Sequence, residues 1–484
     1  MRRIAAPSLI RLLGLWRAPG RGPAHRQLVE TLRLLILDGR LPLGLRLPGE
    51  RELAAALGLS RTTVSAAYNG LRDAGFLISR HGSGSVTSIP GRAAADRAED
   101  DAPGSGAALL EMSVASMPAN ESVHRAYATA LAGLPAYLPA SGYEAVGLPE
   151  LREVVAARYA ELGVPTAPDQ ILITQGAQQG LVILLRALAG PGDRVVVDLP
   201  TYPLALDAIQ RASCRVVPVP LPETGWDAEA LAAAFHQTAP RLAYLQPDFH
   251  NPTGQVMDAE TRAKVVAAAA RSRTLVVSDE TMADLWLEGR RPPPLAGFDQ
   301  AGLVVSLGST GKTFWGGLRI GWIRGEAQLI AALARVRASL DMGSPILEQL
   351  AAAALLSEGE QALDARREVL RARRDHLLDS AAEHVPDWRL TRPRGGLSIW
   401  AELPRPASTL LAAAAESRGV RLASGTRFGV DGAFERFVRL PYALPEERLT
   451  MVVERLAAAW NALSRGFSRA SASPARIPAL EAVI

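Results

Sequence analysis

A chain of 484 residues exceeds the ~100–200 residues of an ordinary domain, so two or more domains are expected. With 48% apolar and 21% charged residues it has the composition of a packed globular protein, which excludes wholesale disorder; the formal net charge of +4 is too small to diagnose a nucleic-acid partner alone. No apolar run reaches the ~18 residues of a membrane span, and the N-terminal stretch, interrupted by Arg11 and Arg17, does not read as a secretory signal, so a cytoplasmic location off the membrane is expected. The single cysteine, Cys214, excludes a disulfide framework and a multi-thiolate metal site; it reads as buried and inert, and no metal is expected.

From Gln27 to Leu37 apolar residues recur at helical spacing, and Asp38-Gly39 closes that helix with turn chemistry. Pro48 then precedes a short helix over 49–57 that Gly58 stops, and Ser60 caps a second helix from Arg61 to Arg72. Two short helices about a three-residue turn predict a helix-turn-helix. The second begins Arg61-Thr62-Thr63, a guanidinium fork and two hydroxyls at the end that would enter a major groove. Val64, Ala67 and Leu71 fall on its buried side. Phe76-Leu77-Ile78 and Val86 flank Ser79-Arg80-His81-Gly82-Ser83-Gly84-Ser85, a hairpin with a basic tip, which predicts a wing.

Over about residues 22–88 the sequence resembles the GntR family of bacterial regulators, through Leu47-Pro48-Gly49-Glu50-Arg51-Glu52-Leu53-Ala54, Leu59-Ser60-Arg61-Thr62-Thr63-Val64, Ala67-Tyr68 and Gly82-Ser83-Gly84. The resemblance implies that Arg51 and Arg61 contact double-stranded DNA, supported by Thr62, Thr63, His81 and Gly82. Residues 89–108 carry Pro90, Gly91, Pro103, Gly104, Gly106 and several acids without apolar periodicity, and predict a flexible linker spanning ~25 Å on average. A larger domain is expected over 109–465, with a tail over 466–484.

In the larger domain helical and β-branched segments alternate: Glu150 to Leu162, Ile171 to Thr174, Ala177 to Leu188, Arg194 to Asp198, Leu242 to Gln246, Thr274 to Asp279 and Val304 to Leu307. This predicts an α/β domain with a mostly parallel sheet, in which ligands bind beyond the carboxyl ends of the strands. Of the 53 lysines and arginines only Lys264 and Lys312 are lysines. Arginine serves wherever charge suffices but cannot supply the neutral primary amine of a Schiff base, so a lysine kept in such a chain invites a chemical reading. Lys264 falls on a helix over 258–270 and reads as a solvated face; Lys312 lies in Ser309-Thr310-Gly311-Lys312. Thr174-Gln175-Gly176-Ala177-Gln178 follows a strand and opens a helix, a place where free backbone amides hold a phosphate.

With Pro200-Thr201-Tyr202-Pro203, Asn251-Pro252-Thr253-Gly254, Asp279 at a strand end and Gly317-Leu318-Arg319-Ile320-Gly321-Trp322, these segments resemble the fold type I pyridoxal-phosphate enzymes, the aminotransferase superfamily, across about residues 111–463. The resemblance implies pyridoxal 5'-phosphate as cofactor, with Lys312 as the Schiff-base lysine, Asp279 on the pyridinium nitrogen, Asn251 on the phenolic oxygen and Tyr202 stacked on the ring. Ala177, Gln178, Ser309 and Arg319 would hold the phosphate, and Tyr137, in Tyr137-Leu138-Pro139-Ala140-Ser141-Gly142, would reach the phosphate of a partner subunit. Arg439, in Val438-Arg439-Leu440, matches an arginine that grips a substrate carboxylate. The nearby ring and Arg319 are expected to lower the proton affinity of Lys312. One departure stands out: family members often carry a tyrosine two or three residues after the aspartate, and this chain reads Asp279-Glu280-Thr281-Met282.

Together the two halves resemble the MocR subgroup of GntR regulators, a winged helix-turn-helix fused to an aminotransferase-like domain. The resemblance implies a homodimeric regulator that binds DNA and senses pyridoxal phosphate, an amine or an amino acid rather than turning over substrate. Two alternatives stay open at this point: an active aminotransferase carrying a DNA-binding module, and a cofactor-free dimerisation scaffold.

Overall fold

The computed structural model describes residues 3–14, 16–17, 22–37, 41, 44–80, 84–88, 109–359 and 363–472. The linker expected over 89–108, and His81 and Gly82 at the wing tip, lie outside the described residues. The chain folds as two compact units, a small N-terminal one and a larger one.

The N-terminal unit is built on helices Ala24–Leu37, Glu50–Leu57 and Arg61–Asp73, followed by the hairpin of β1 (Leu77–Arg80) and β2 (Gly84–Thr87). The strands pair antiparallel, with Leu77 opposite Thr87 and Arg80 opposite Gly84. Ser60 caps the third helix by accepting from the Thr63 amide at 3.1 Å, and Gly58 ends the second in the left-handed conformation, φ +64°. Leu28, Leu32, Leu53, Val64, Ala67, Tyr68 and Leu71 form its buried core; each large apolar side chain so buried contributes about 1.5–3 kcal/mol. A further helix, Ala6–Leu13, precedes the boundary drawn from the sequence and adds Leu9 and Leu13 to that core. Tyr68 also fixes the geometry of the turn, because its buried hydroxyl donates to the Pro48 carbonyl at 2.9 Å just ahead of the second helix. Tyr68→Phe leaves that carbonyl without its donor and is expected to cost about 1 kcal/mol, read as an earlier urea midpoint for this unit.

The larger unit begins with β3 (Leu110–Met112). Its main sheet contains β4 (Ile171–Thr174), β5 (Arg194–Leu199), β6 (Arg215–Pro220), β7 (Leu242–Leu245), β8 (Leu275–Asp279), β9 (Val304–Ser309) and β10 (Gly321–Arg324). Their order is β4-β10-β9-β8-β7-β5-β6, and only β10 runs against its neighbours. β4, β7 and β10 are buried at every position, so they show no alternation of polar and apolar residues, as a sheet covered on both faces requires. Helices such as Ala177–Leu188 and Pro203–Arg211 supply that cover, with Leu181, Leu184, Leu206 and Ile209 packed against Val195, Val197, Tyr244 and Ile323.

A second sheet is assembled from β11 (Arg389–Leu390), β12 (Ser398–Glu402), β13 (Val420–Ser424) and β14 (Phe437–Pro441), in the order β11-β12-β14-β13-β3. β3 closes it by pairing parallel to β13, Leu110 opposite Val420. Helices Asp364–His384, Ser408–Glu416 and Glu446–Ala472 pack on it through Leu370, Leu377, Leu411, Leu449 and Val453. The last helix continues past residue 465, where the sequence placed the start of a tail.

Arginine does the structural work that its abundance suggested. Arg262 is fully buried, ion-paired to Asp248 at 2.6 Å, and donates to the carbonyls of Met257, Pro247 and Pro293. Arg337, equally buried, pairs with Asp341 at 2.7 Å and donates to the carbonyls of Ala145 and Ile173. The five fixed donors of a guanidinium satisfy several acceptors at once, which a lysine cannot do. Lys264 is on the exposed face foreseen for it, 2.6 Å from Glu260. Cys214 is buried, and its thiol is pushed up by that burial. Among the described residues no helix is long and apolar enough to cross a membrane.

Candidate functional site

In the N-terminal unit the third helix starts at Arg61, and Arg51 is the second residue of the helix before it; both side chains are exposed. They line one concavity with Arg46 and Arg72. Arg72 ties the reading helix to its surroundings, reaching Glu50 at 3.1 Å and the Ser85 hydroxyl at 3.2 Å, so the helix, its predecessor and the root of the wing are linked by one guanidinium. The hydroxyls of Thr62 and Thr63 each share a 2.7 Å hydrogen bond with the Ser60 hydroxyl. Part of their polarity is therefore taken up near the cap, and the exposed forks of Arg51 and Arg61 are the stronger groups for a phosphate or base edge.

In the larger unit the carboxyl ends of the parallel strands converge on one pocket of about 170 Å³. The turn after β4 brings Gly176, Ala177 and Gln178; the turn after β5 brings Tyr202; the segment after β7 brings Gln246 and Asn251; β8 ends at Asp279; β9 leads to Ser309 and Lys312. Arg319 completes the lining. Parallel topology dictates this convergence, since every such strand delivers its following loop to the same edge.

One end of the pocket is built for an anion. Gly176, at φ +86°, turns the chain from β4 into the twelve-residue helix Ala177–Leu188, leaving the first-turn amides facing outward. Arg319 donates to the Gln175 carbonyl at 2.8 Å and lies against Gly176. Gly321 lets β10 approach this turn: a Cβ there would stand 2.6 Å from the Gly176 carbonyl carbon and 2.7 Å from the Ala177 nitrogen. Ser309 caps the short helix Thr310–Thr313 by accepting from the Gly311 amide at 3.0 Å.

Asp279 lies at the pocket wall with both oxygens engaged. Oδ1 accepts the Thr281 amide at 3.0 Å and Oδ2 accepts the Tyr244 hydroxyl at 2.5 Å. Lys312 Nζ donates to the Ala115 carbonyl at 2.7 Å. Burial lowers the proton affinity of this amine most; Arg439 lowers it further, Asp279 opposes, and Arg319 adds a smaller decrease, so that the ammonium gives up its proton at about 8 instead of 10.5. Of the two cations Arg439 outweighs Arg319, the one singled out from the sequence.

Arg439 is buried at the pocket's rim. It donates to Asn251 Oδ1 at 3.3 Å and to the Ser113 carbonyl, and its guanidinium lies 5.1 Å above the Phe428 ring. Its Nε is buried with no hydrogen-bond partner among the described residues. Burial pulls the guanidinium down to about 10. An orphaned, buried donor on a cation is a strong acceptor-seeking group.

Eight of the residues singled out for a cofactor, Lys312, Asp279, Asn251, Tyr202, Ala177, Gln178, Ser309 and Arg319, line the one pocket, and Arg439 adjoins it. Tyr137 does not: its hydroxyl donates to Glu150 Oε1 at 2.6 Å and it stands outside the lining. Sequence reasoning missed Tyr244 and Gln246, both in the lining. It also missed the buried acid next to Asp279, Glu280, which accepts from Tyr159 and Ser306 and is pushed up to about 7 by burial and by Asp248.

The sequence matches the family Aminotransferase class I and II over residues 140–456, and the family Bacterial regulatory proteins, gntR family, over residues 24–86. It is 30% identical to the uncharacterized HTH-type transcriptional regulator YisV of Bacillus subtilis, over 78% of this chain and 84% of that one. It is also 30% identical to the probable rhizopine catabolism regulatory protein MocR of Rhizobium meliloti, over 84% of this chain and 87% of that one. Among solved structures, LysN, an α-aminoadipate aminotransferase from Thermus thermophilus complexed with N-(5'-phosphopyridoxyl)-L-leucine, superposes with a TM-score of 0.69 at 28% identity, covering 74% of this chain and 93% of that one. The converging strand ends and the helix-turn-helix thus have their counterparts in two families: the chain belongs to the aminotransferase class I and II family through its larger unit and to the gntR family through its N-terminal one, the composition of the MocR-like HTH-type transcriptional regulators.

Proposed function

We propose that the larger unit holds pyridoxal 5'-phosphate at Lys312 and reports an amine or amino-acid effector to the DNA-binding unit, the protein acting as a cytoplasmic homodimer on double-stranded DNA. The observation that carries this reading is a buried primary amine, whose proton affinity is lowered to about 8, in a pocket that also presents a doubly hydrogen-bonded carboxylate and a helix N-terminus backed by Arg319. Those groups fit the cofactor's chemistry. Bound there, it would supply an electron-withdrawing ring and an aldehyde carbon for which Lys312 and an effector amine compete.

The chain's own residues divide the work. Lys312 Nζ is the nucleophile, and burial and Arg439 make its proton easier to lose. Asp279 presents an anionic acceptor to a pyridine nitrogen, Asn251 a donor to the phenolic oxygen, and Tyr202 a ring to stack on. The amides of Ala177 and Gln178, with Ser309 and Arg319, cradle the phosphate, and the half-buried Tyr137, outside the pocket, suits a contact to a partner subunit. Arg439, with its free Nε, receives the carboxylate of an effector. Thr281 faces the pocket where a tyrosine is common in the family, which favours sensing over turnover.

Any response at the DNA requires that effector-bound and effector-free forms differ in DNA affinity. For the full chain on DNA selected from a random pool, pyridoxal phosphate with a cognate amine is expected to change the dissociation constant by about 5–150-fold, measured by fluorescence anisotropy. Equal affinity with and without cofactor and across a panel of amines and amino acids refutes sensing. Multiple-turnover conversion of an amino acid and a 2-oxo acid makes the protein an enzyme instead.

A further inference from the structure

We infer that Tyr244 and Gln246 are positioning residues that hold Asp279 as a hydrogen-bond acceptor toward a pyridine nitrogen and link its orientation to that of Asn251. The inference rests on the cofactor reading above and assigns roles to two residues outside the set drawn from the sequence.

The proton positions follow from the donors and acceptors present. The Asn251 backbone amide can only donate, and it donates to Gln246 Oε1 at 3.0 Å. That fixes the orientation of the Gln246 side-chain amide, so its nitrogen is the end facing Tyr244, 2.8 Å from the hydroxyl oxygen. An amide nitrogen only donates, so the Tyr244 hydroxyl accepts there and must send its own hydrogen elsewhere. Asp279 Oδ2, 2.5 Å away, receives it. With the Thr281 amide on Oδ1, each carboxylate oxygen accepts one hydrogen bond, so the carboxylate is fixed at both ends.

The relay is rigidly seated. Gln246 and Tyr244 are buried, and the Gln246 backbone amide donates at 3.1 Å to Asp198, which also accepts from the Trp226 indole at 2.8 Å. Tyr244 sits on β7, paired to β8 opposite Val277, two residues before Asp279. Burial and the neighbouring Asp279 push the Tyr244 phenol well above its ordinary value, so it remains a donor throughout the working pH range. The other charged or titratable groups that feel Asp279 are Tyr202, Asp248 and Lys312. In this chain Tyr244 thus approaches the aspartate from the adjacent strand, whereas the loop after Asp279 carries Thr281.

A tyrosine that only fills space and one that orients Asp279 are separated by ligand choice. The full chain is titrated with pyridoxal phosphate and with its 1-deaza analogue, in which a C–H replaces the ring nitrogen while aldehyde, phenol and phosphate remain. Tyr244→Phe is expected to weaken pyridoxal phosphate about tenfold, the scale of one hydrogen bond to a charged group, and to leave the 1-deaza analogue within about twofold. Gln246→Met, which retains the hydroxyl but frees it to rotate, is expected to act in the same direction with a smaller ratio, and it serves as the test should the phenylalanine variant fail to fold. Equal weakening of both ligands, or no weakening of either, overturns the inference while the cofactor reading stands. A wild-type protein that binds neither ligand removes the cofactor reading and this inference together.

Discussion

Lys312→Met is expected to abolish retention of pyridoxal phosphate through gel filtration and, in the cofactor-free protein, to stabilise the fold. The side chain is nearly isosteric, so the change removes the amine without opening a cavity. Holding the amine at about 8 instead of 10.5 means that the folded chain binds its proton less well than the unfolded chain does. Below pH 8 the full penalty applies, on the order of 3 kcal/mol. Between pH 8 and 10.5 the unfolded chain keeps a proton that the folded chain has shed, so wild-type stability climbs relative to the variant as pH rises through that window. Urea unfolding of both apo proteins at about pH 7 and about pH 10.5 measures the effect: the difference in favour of methionine should be largest at the lower pH and should close at the higher one. A difference independent of pH would show that burial of the ammonium is not what the fold tolerates for function.

Arg61→Ala is expected to weaken DNA binding by about 10–100-fold and to relax sequence preference beneath it, the usual cost of losing one bidentate arginine contact to a base edge. Arg61 opens the helix, its side chain is exposed, and the cap on that helix is supplied by Ser60, so truncation should leave the fold intact. Anisotropy on selected and scrambled DNA gives the answer. A uniform loss on both DNAs, with a shallower salt dependence, would instead assign Arg61 to a phosphate.

Much of the site was legible because parallel topology concentrates function at strand ends. Asp279, Asn251, Tyr202 and Lys312 all follow short β-branched or apolar runs, and the runs over Ile171–Thr174 and Ala177–Leu188 coincide with observed elements. What escaped was non-local. β3 is three residues long and pairs with β13 far along the chain, so no window of sequence contains both partners. β12, Ser398–Glu402, is buried on both faces and shows no alternation to mark it. Tyr244 sits in the run Leu242–Leu245, where it reads as one more core residue; only the pairing of β7 with β8 reveals that its hydroxyl meets an acid. Tyr137 illustrates the converse, a residue picked out by resemblance whose place in one chain is outside the pocket. The helix Ala6–Leu13 escaped because Arg11 interrupts its apolar run, although Arg11 is exposed and Leu9 and Leu13 turn inward.

The scarcity of lysine gives the chemistry its sharpest test. Borohydride reduction of the pyridoxal-phosphate-loaded wild-type protein, followed by proteolysis and mass spectrometry, should place one phosphopyridoxyl group on the peptide containing Lys312 and none on the peptide containing Lys264. Label on Lys264 alone, or on neither lysine, would contradict the account.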